Sequence, residues 1–229
     1  MAAFQEGFYR TFINNNYYKV FLDGFRATIT IAVFAVLIGV SIGIILAVIK
    51  VYNHRTGKMK IARLFAELYV TVFRGTPVIV QLMILYYLVL IDIKSGVIVA
   101  VIGFGLNSGA YVAEIVRAGI MSIDTGQTEA GRSLGLTELM TMRYIIMPQA
   151  IKNTLPALFN EFITLLKETS VAGYITVIDL TKAADLVRSR TYQAFFPLIS
   201  VALVYLIMVV GLTALQGVME RKLQKSDRR

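Results

Sequence analysis

The chain alternates between long apolar stretches and short polar ones, and that alternation outlines most of the molecule. Ala27 to Ile49 is an almost unbroken apolar run. Ile61 to Ile91 is a second, longer than one straight span needs, and Val97 to Ile120 is a third. A fourth runs from about Leu155 to about Val171 and a fifth from Phe195 to about Val218, entered at Pro197. A bilayer takes about 20 residues of helix to cross. Backbone groups in lipid must be satisfied within the segment, so each run is expected to be a helix. The pattern therefore predicts an all-α membrane protein with five transmembrane helices.

Several interruptions are informative. Gly39 and Gly43 form a G-x-x-x-G in the first span, which permits close helix approach. Arg74-Gly75-Thr76-Pro77 breaks the second run, since proline removes a helix hydrogen bond and clashes with the preceding turn. Broken helices in membranes line polar cavities or pack within protein. Arg74 reads equally as a binding group or as an arginine bonding freed carbonyls. Glu114 and Arg117 are three apart, so they share a helix face and can pair. In the fourth run Glu161 and Glu168 are two turns apart and point to one face. Charged groups inside a span are costly and mark a functional site or a buried pair. Glu161 has no basic residue three or four positions away in either direction. Glu168, beside Lys167, reads nearly as well as an anchor at the membrane boundary.

The longest markedly polar run between apolar stretches is Glu129 to Pro148, within a connection of about residues 122–148. Asp124 reads as a helix start, Gly135 as the corner that stops it, and Thr137 as the cap of a second amphipathic helix running towards Pro148. The N-terminal residues 1–23 place Phe4, Phe8 and Phe12 at helical spacing, as suits a helix lying in the membrane interface. Asp179 to Arg190 reads as a short amphipathic helix. No linker or repeat divides the chain, so residues 1–229 are expected to form one transmembrane domain.

Composition agrees with the pattern. The chain is 57% hydrophobic and 16% charged, against about a quarter charged in soluble domains. Its net charge of +9 reads as loop charge flanking spans, and nucleic acid is not an expected partner. Lys50, Arg55, Lys58, Lys60 and Arg63 follow the first span, which places that loop in the cytoplasm. Five spans then put the N-terminus outside and the basic C-terminus inside. There is no cysteine and one histidine, His54, so neither a metal cluster nor a His-dependent triad is expected. No G-x-x-x-x-G-K-[ST] phosphate loop is present.

Four segments resemble those of one family. Glu129-Ala130-Gly131, three residues, Gly135, nine residues, Ile145, one residue, Met147-Pro148 resembles the EAA loop of bacterial ABC importer permeases. Gly131 stands for its second alanine and Met147 for its leucine. F-R-G-T-P-V-I-V-Q, Phe73 to Gln81, resembles the F-R-G-T-P-x-x-V-Q segment of the polar amino acid branch. N-S-G-A-Y-V-A-E-I-V-R, Asn107 to Arg117, and N-E-F-I-T-L-L-K-E-T-S, Asn160 to Ser170, are similar to segments of the same branch. Glu168 stands for its usual aspartate. The resemblance implies a type I ABC importer permease fold in the bacterial cytoplasmic membrane. It implies coupling through Glu129, Ala130, Gly131, Gly135 and Pro148 to two separate ATPase subunits. It also implies a second permease subunit, an extracytoplasmic amino-acid-binding protein and an amino acid substrate. ATP and magnesium belong to the ATPase, no cofactor is expected here, and the chain is not expected to be an enzyme. Arg74, Gly75, Thr76, Asn107, Ser108, Glu161 and Glu168 are the expected substrate-binding residues. An isolated intramembrane carboxylate needs a partner, so Glu161 points to a basic amino acid, with glutamine or glutamate as the alternative. A non-transport membrane scaffold is the rival class.

Overall fold

A computed structural model describes residues 2–13 and 16–227, with side chains over 5–13 and 16–223. Phe4 of the expected aromatic series and the end of the basic tail fall outside the described side chains. The described residues are almost wholly helical. Short α1 (Ala2–Phe8) ends in a π-turn, Tyr9–Ile13. Then come α2 (Tyr17–Thr56), α3 (Lys60–Gly75) and α4 (Val78–Ile84), the last extended by a π-turn, Leu85–Val89. The long α5 (Gly96–Met121) precedes α6 (Thr125–Ser133), α7 (Glu138–Thr141) and α8 (Met147–Glu168). Finally α9 (Leu180–Thr191) leads to α10 (Phe195–Asp227).

Among these, α2, α5 and α10 are long and apolar enough to cross a membrane. The pair formed by α3 and α4 counts as a fourth span if taken together. The fourth expected span is α8, which has 22 residues and hence a length of about 33 Å. Its polar residues make it less apolar than α2, α5 and α10. Helix α2 has 40 residues, about 60 Å, and so takes in residues 17–23 of the segment expected to lie in the interface. The remaining aromatic residues fold back: Phe12 stacks 5.5 Å from Phe21 and Phe8 lies 6.5 Å from Phe196 at the start of α10.

Helix α5 is the centre, and α2 packs along its length. The small residues explain how closely. A Cβ at Gly43 would lie 2.4 Å from Val112 Cγ1, and one at Gly39 would lie 2.9 Å from Ser108. The G-x-x-x-G thus seats α5, as expected for close approach. Ile31, Ala35, Leu82, Phe104, Leu165 and Ile175 form the main buried cluster, drawn from α2, α4, α5, α8 and the 3₁₀ turn after it.

The second apolar run bends by 107° between α3 and α4. Pro77 is the cause. It cannot donate to α3, and it pushes Thr76 to an extended conformation (φ −122°, ψ 147°). Its own carbonyl then accepts from Val80 and Gln81 to start α4.

The polar connection differs from expectation in one respect. The helix begun at Thr137 does not stop at Pro148. It passes through a π-turn, Met142–Ile146, straight into α8. A proline lacks a donor and crowds the carbonyl four residues back; an extra residue in the turn before it relieves both. The fourth apolar run and the second helix of the connection are therefore one continuous rod.

Candidate functional site

The break between α3 and α4 leaves backbone carbonyls without helical partners, and buried carbonyls need donors. Two amides supply them. Gln81 Nε2 donates to the carbonyl of Phe73 (2.9 Å), to the carbonyl of Thr76 (3.0 Å) and to Thr76 Oγ1 (2.8 Å). Asn107 Nδ2, from α5, donates to the same Phe73 carbonyl (3.1 Å) and to Gln81 Oε1 (2.9 Å). Both amides are buried. Asn107, expected to bind substrate, is committed to holding the break. Gln81 went unremarked in the sequence reading, although it closes the F-R-G-T-P-x-x-V-Q segment.

Arg74, Gly75 and Thr76 are exposed on the surface of this bend. The Arg74 guanidinium does not bond the freed carbonyls; it lies over the Tyr111 ring, 5.2 Å from its centroid. A cation over an aromatic face is held there by the ring quadrupole. Tyr111 is a residue that spacing alone could not single out, since its role needs α3 against α5.

Across α5, Ser108 is fully buried and its hydroxyl donates to Glu161 Oε1 at 2.9 Å. This corrects the view of Glu161 as a carboxylate without a partner. Its partner comes from another helix, which counting along α8 could not find. Arg74 rests on Tyr111, about one turn along α5 from the Ser108 that bonds Glu161, and Glu168 is two turns along α8 from Glu161 on the same face. Arg74, Ser108, Glu161 and Glu168 therefore share one region beside the bend, with Gly75 and Thr76 at its edge. The group holds two carboxylates, one cation and one hydroxyl, a set able to grip both ends of a zwitterion.

Glu114 and Arg117 pair as their spacing predicts, Arg117 donating to Glu114 Oε2 through Nε (3.1 Å) and Nη2 (2.9 Å). Lys50 of α2 joins them, donating to Glu114 Oε1. That third member was hidden in the sequence among the basic residues of the loop.

The connection forms a separate surface feature. Asp124 caps α6 by accepting from the Gly126 N–H, and Thr137 caps α7 by accepting from Met140. Gly135 has φ +81°. The Leu136 N–H reaches the Gly131 carbonyl, and the Gly135 N–H reaches that of Arg132, the paired bonds of a glycine-terminated helix. Gly131 is buried against α7, where an added Cβ would meet Thr141 Cγ2 at 2.8 Å. Here glycine in place of alanine has a steric reason. Glu129, Ala130 and Pro148 are exposed. So are the large apolar side chains of Leu134 and Leu139, 79% and 77% accessible.

A bundle of apolar helices with one broken helix, a polar group of mixed charge beside the break and a protruding helix pair fits an importer's channel subunit. The chain belongs to the family of binding-protein-dependent transport system inner membrane components, whose pattern it matches over residues 39–225. Among its relatives is a protein of Rickettsia bellii provisionally named glutamine transport system permease protein GlnP. The two are 43% identical over 205 residues, covering 88% of this chain and 92% of that one. The arginine transport system permease protein ArtQ of Bacillus subtilis is 39% identical over 209 residues, covering 90% and 93%. Among solved structures, a chain of an amino acid ABC transporter crystallised with histidines superposes with a TM-score of 0.83 at 42% identity, covering 90% and 95%. A chain of the MetNI methionine ABC transporter, in an inward-facing conformation, shares the fold, with a TM-score of 0.67 at 21% identity. The chain is thus the permease subunit of an amino acid ABC importer with the type I fold. It is a membrane transport component and not an enzyme.

Proposed function

We propose that this permease imports a basic amino acid: arginine, lysine or histidine. The observation that carries the reading is the pair of carboxylates, Glu161 and Glu168, set on one face of α8, with Arg74 over Tyr111 about one turn along α5 from the Ser108 that bonds Glu161. A cationic side chain meets the carboxylates while the substrate's own carboxylate meets Arg74 and the N–H groups at the Gly75–Thr76 bend. Arginine in the name of one relative and histidines in the description of one structural neighbour support the choice. A neutral substrate, glutamine, is the second reading. It is favoured by the Ser108 hydroxyl, which already satisfies one oxygen of Glu161, and by the relative named for glutamine transport.

The subunit works in a complex with a second permease subunit, two ATPase subunits and an extracytoplasmic binding protein. The ATPase docks on the helix pair α6–α7, where Leu134 and Leu139 present apolar surface beside Glu129 and Ala130. Exposed apolar patches of this kind mark protein contacts. Uptake of radiolabelled arginine, lysine, histidine and glutamine by the assembled importer tests the substrate. Glu161→Gln should abolish uptake of the basic amino acids with assembly unchanged. Wild-type uptake of glutamine alone, or normal arginine and lysine uptake by the variant, overturns the basic reading.

A further inference from the structure

Away from the residues near the bend, a polar cavity of about 310 Å³ opens between α2, α3 and α5. Lys50, His54, Arg63, Glu67, Glu114 and Arg117 line it. Its volume is at the small end of the roughly 300–1,000 Å³ of small-molecule sites. Its walls are unusual for a membrane bundle. Lys50 and Glu114 have side chains only 13% and 21% accessible. Arg63 donates to Glu67 Oε1 at 2.7 Å and to Asn53 Oδ1 at 3.1 Å. Cations and carboxylates thus alternate around one space, three against two. Buried charge is costly unless paired, and a cavity kept open in the middle of such pairs has room for a third party that is itself doubly charged.

Two facing stripes run from the first site towards the cavity, with the packed residues Val70, Ala110 and Ala113 in the seam between α3 and α5. At 3.6 residues per turn, Arg63, Glu67 and Arg74 share one side of α3, and Asn107, Tyr111 and Glu114 share one side of α5. The two helices pack together. The Arg74–Tyr111 contact lies between the stripes at one end, and the ionic cavity closes them at the other. Ser108 to Glu114 is six residues, so the cavity is about 9 Å further along α5. It sits towards the end carrying the basic loop, Arg55 to Lys60.

We propose that this cavity is a second amino-acid subsite, which receives the substrate's zwitterionic head after it leaves Ser108 and Glu161. The substrate carboxylate exchanges into the Lys50–Arg117 pair, and its ammonium exchanges onto Glu114 and Glu67. A zwitterion matches these walls because it replaces each broken ion pair with an equivalent one. The choice of an amino acid as ligand rests on the proposed function; the cavity does not depend on whether the side chain is basic or neutral.

Equilibrium binding of radiolabelled arginine, and separately glutamine, to the complex of permease and ATPase subunits in lipid nanodiscs, with the binding protein left out, tests this. Wild type should bind two molecules per permease subunit. Glu114→Gln should reduce this to one. Met121→Trp should do the same, since Met121 lines the cavity and a larger side chain fills it without touching the ion pairs. Glu161→Gln should also leave one molecule bound, and the double variant Glu114→Gln with Glu161→Gln should bind none. Stoichiometry unchanged in Met121→Trp overturns the subsite, as does wild type binding one molecule or none. If Glu114→Gln and Met121→Trp each lose one molecule while Glu161→Gln loses nothing, the subsite stands and the reading of Glu161 fails instead.

Discussion

At the scale of single residues, two amides decide whether the α3–α4 break is a stable shape. Gln81 and Asn107 answer the same carbonyl, that of Phe73, and bond each other. Removing either leaves a buried acceptor short of a donor, which costs about 1–3 kcal/mol. Asn107→Leu and Gln81→Leu should each lower the thermal unfolding midpoint of the detergent-solubilised protein. Because they share partners, the double variant should lose less than the sum of the two. Full additivity would mean that the two side chains act independently, contrary to the geometry. Both are polar residues inside apolar runs, and of the two only Asn107 was singled out from the sequence, as a substrate-binding residue. Their task was not readable there, because it depends on α5 lying against a bend made some thirty residues earlier.

At the scale of elements, the connection α6–α7 shows a glycine with a conformational reason. Gly135 lies in the left-handed region at φ +81°, and an added Cβ there would meet nothing within 4 Å. The objection to a side chain is therefore backbone strain and not crowding inside the subunit. The left-handed conformation costs an L-residue roughly 1–2 kcal/mol, with more for a β-branched one. Gly135→Val should still insert, but it should turn the corner wrongly and separate ATP hydrolysis from transport. Binding-protein-stimulated ATPase activity of the purified complex should fall well below wild type. An unchanged rate would remove this corner from the coupling path. Both caps and the corner were legible locally, since capping is decided within four residues. The continuation of α7 through Pro148 was not. A proline normally ends a helix, and only the π-turn before it lets this one run on into α8.

At the scale of the whole molecule, orientation follows from loop charge and the number of crossings. The expected arrangement has the N-terminus outside and the C-terminus in the cytoplasm. Single cysteines at Ser95 and Ser226, introduced into a chain with no other cysteine, report it directly. An impermeant thiol reagent added to intact cells should label position 95 and spare position 226; the reverse pattern would invert the topology. The crossing count rests on α8, which carries Asn160, Glu161, Lys167 and Glu168. A helix with that content is stable in a bilayer only if its polar face meets protein. It does so at Ser108 and against α2 and α5.

Sequence by itself determined the apolar helices, the break at Pro77, the corner at Gly135 and the Glu114–Arg117 pair. Each of these is a local event, settled by hydrophobic run length, a missing N–H, a tolerated φ or a three-residue spacing. The family was legible only through resemblance, in motifs that span twenty residues or fewer. Only tertiary structure decided the partners of the buried charges. Glu161 meets Ser108 from a helix fifty-three positions earlier, Glu114 meets Lys50 sixty-four positions away, and Arg74 rests on Tyr111. Such pairings depend on which helix faces which. That choice is made by the close seating of α5 on Gly39 and Gly43, and no periodicity along one helix encodes the rotation of its neighbour.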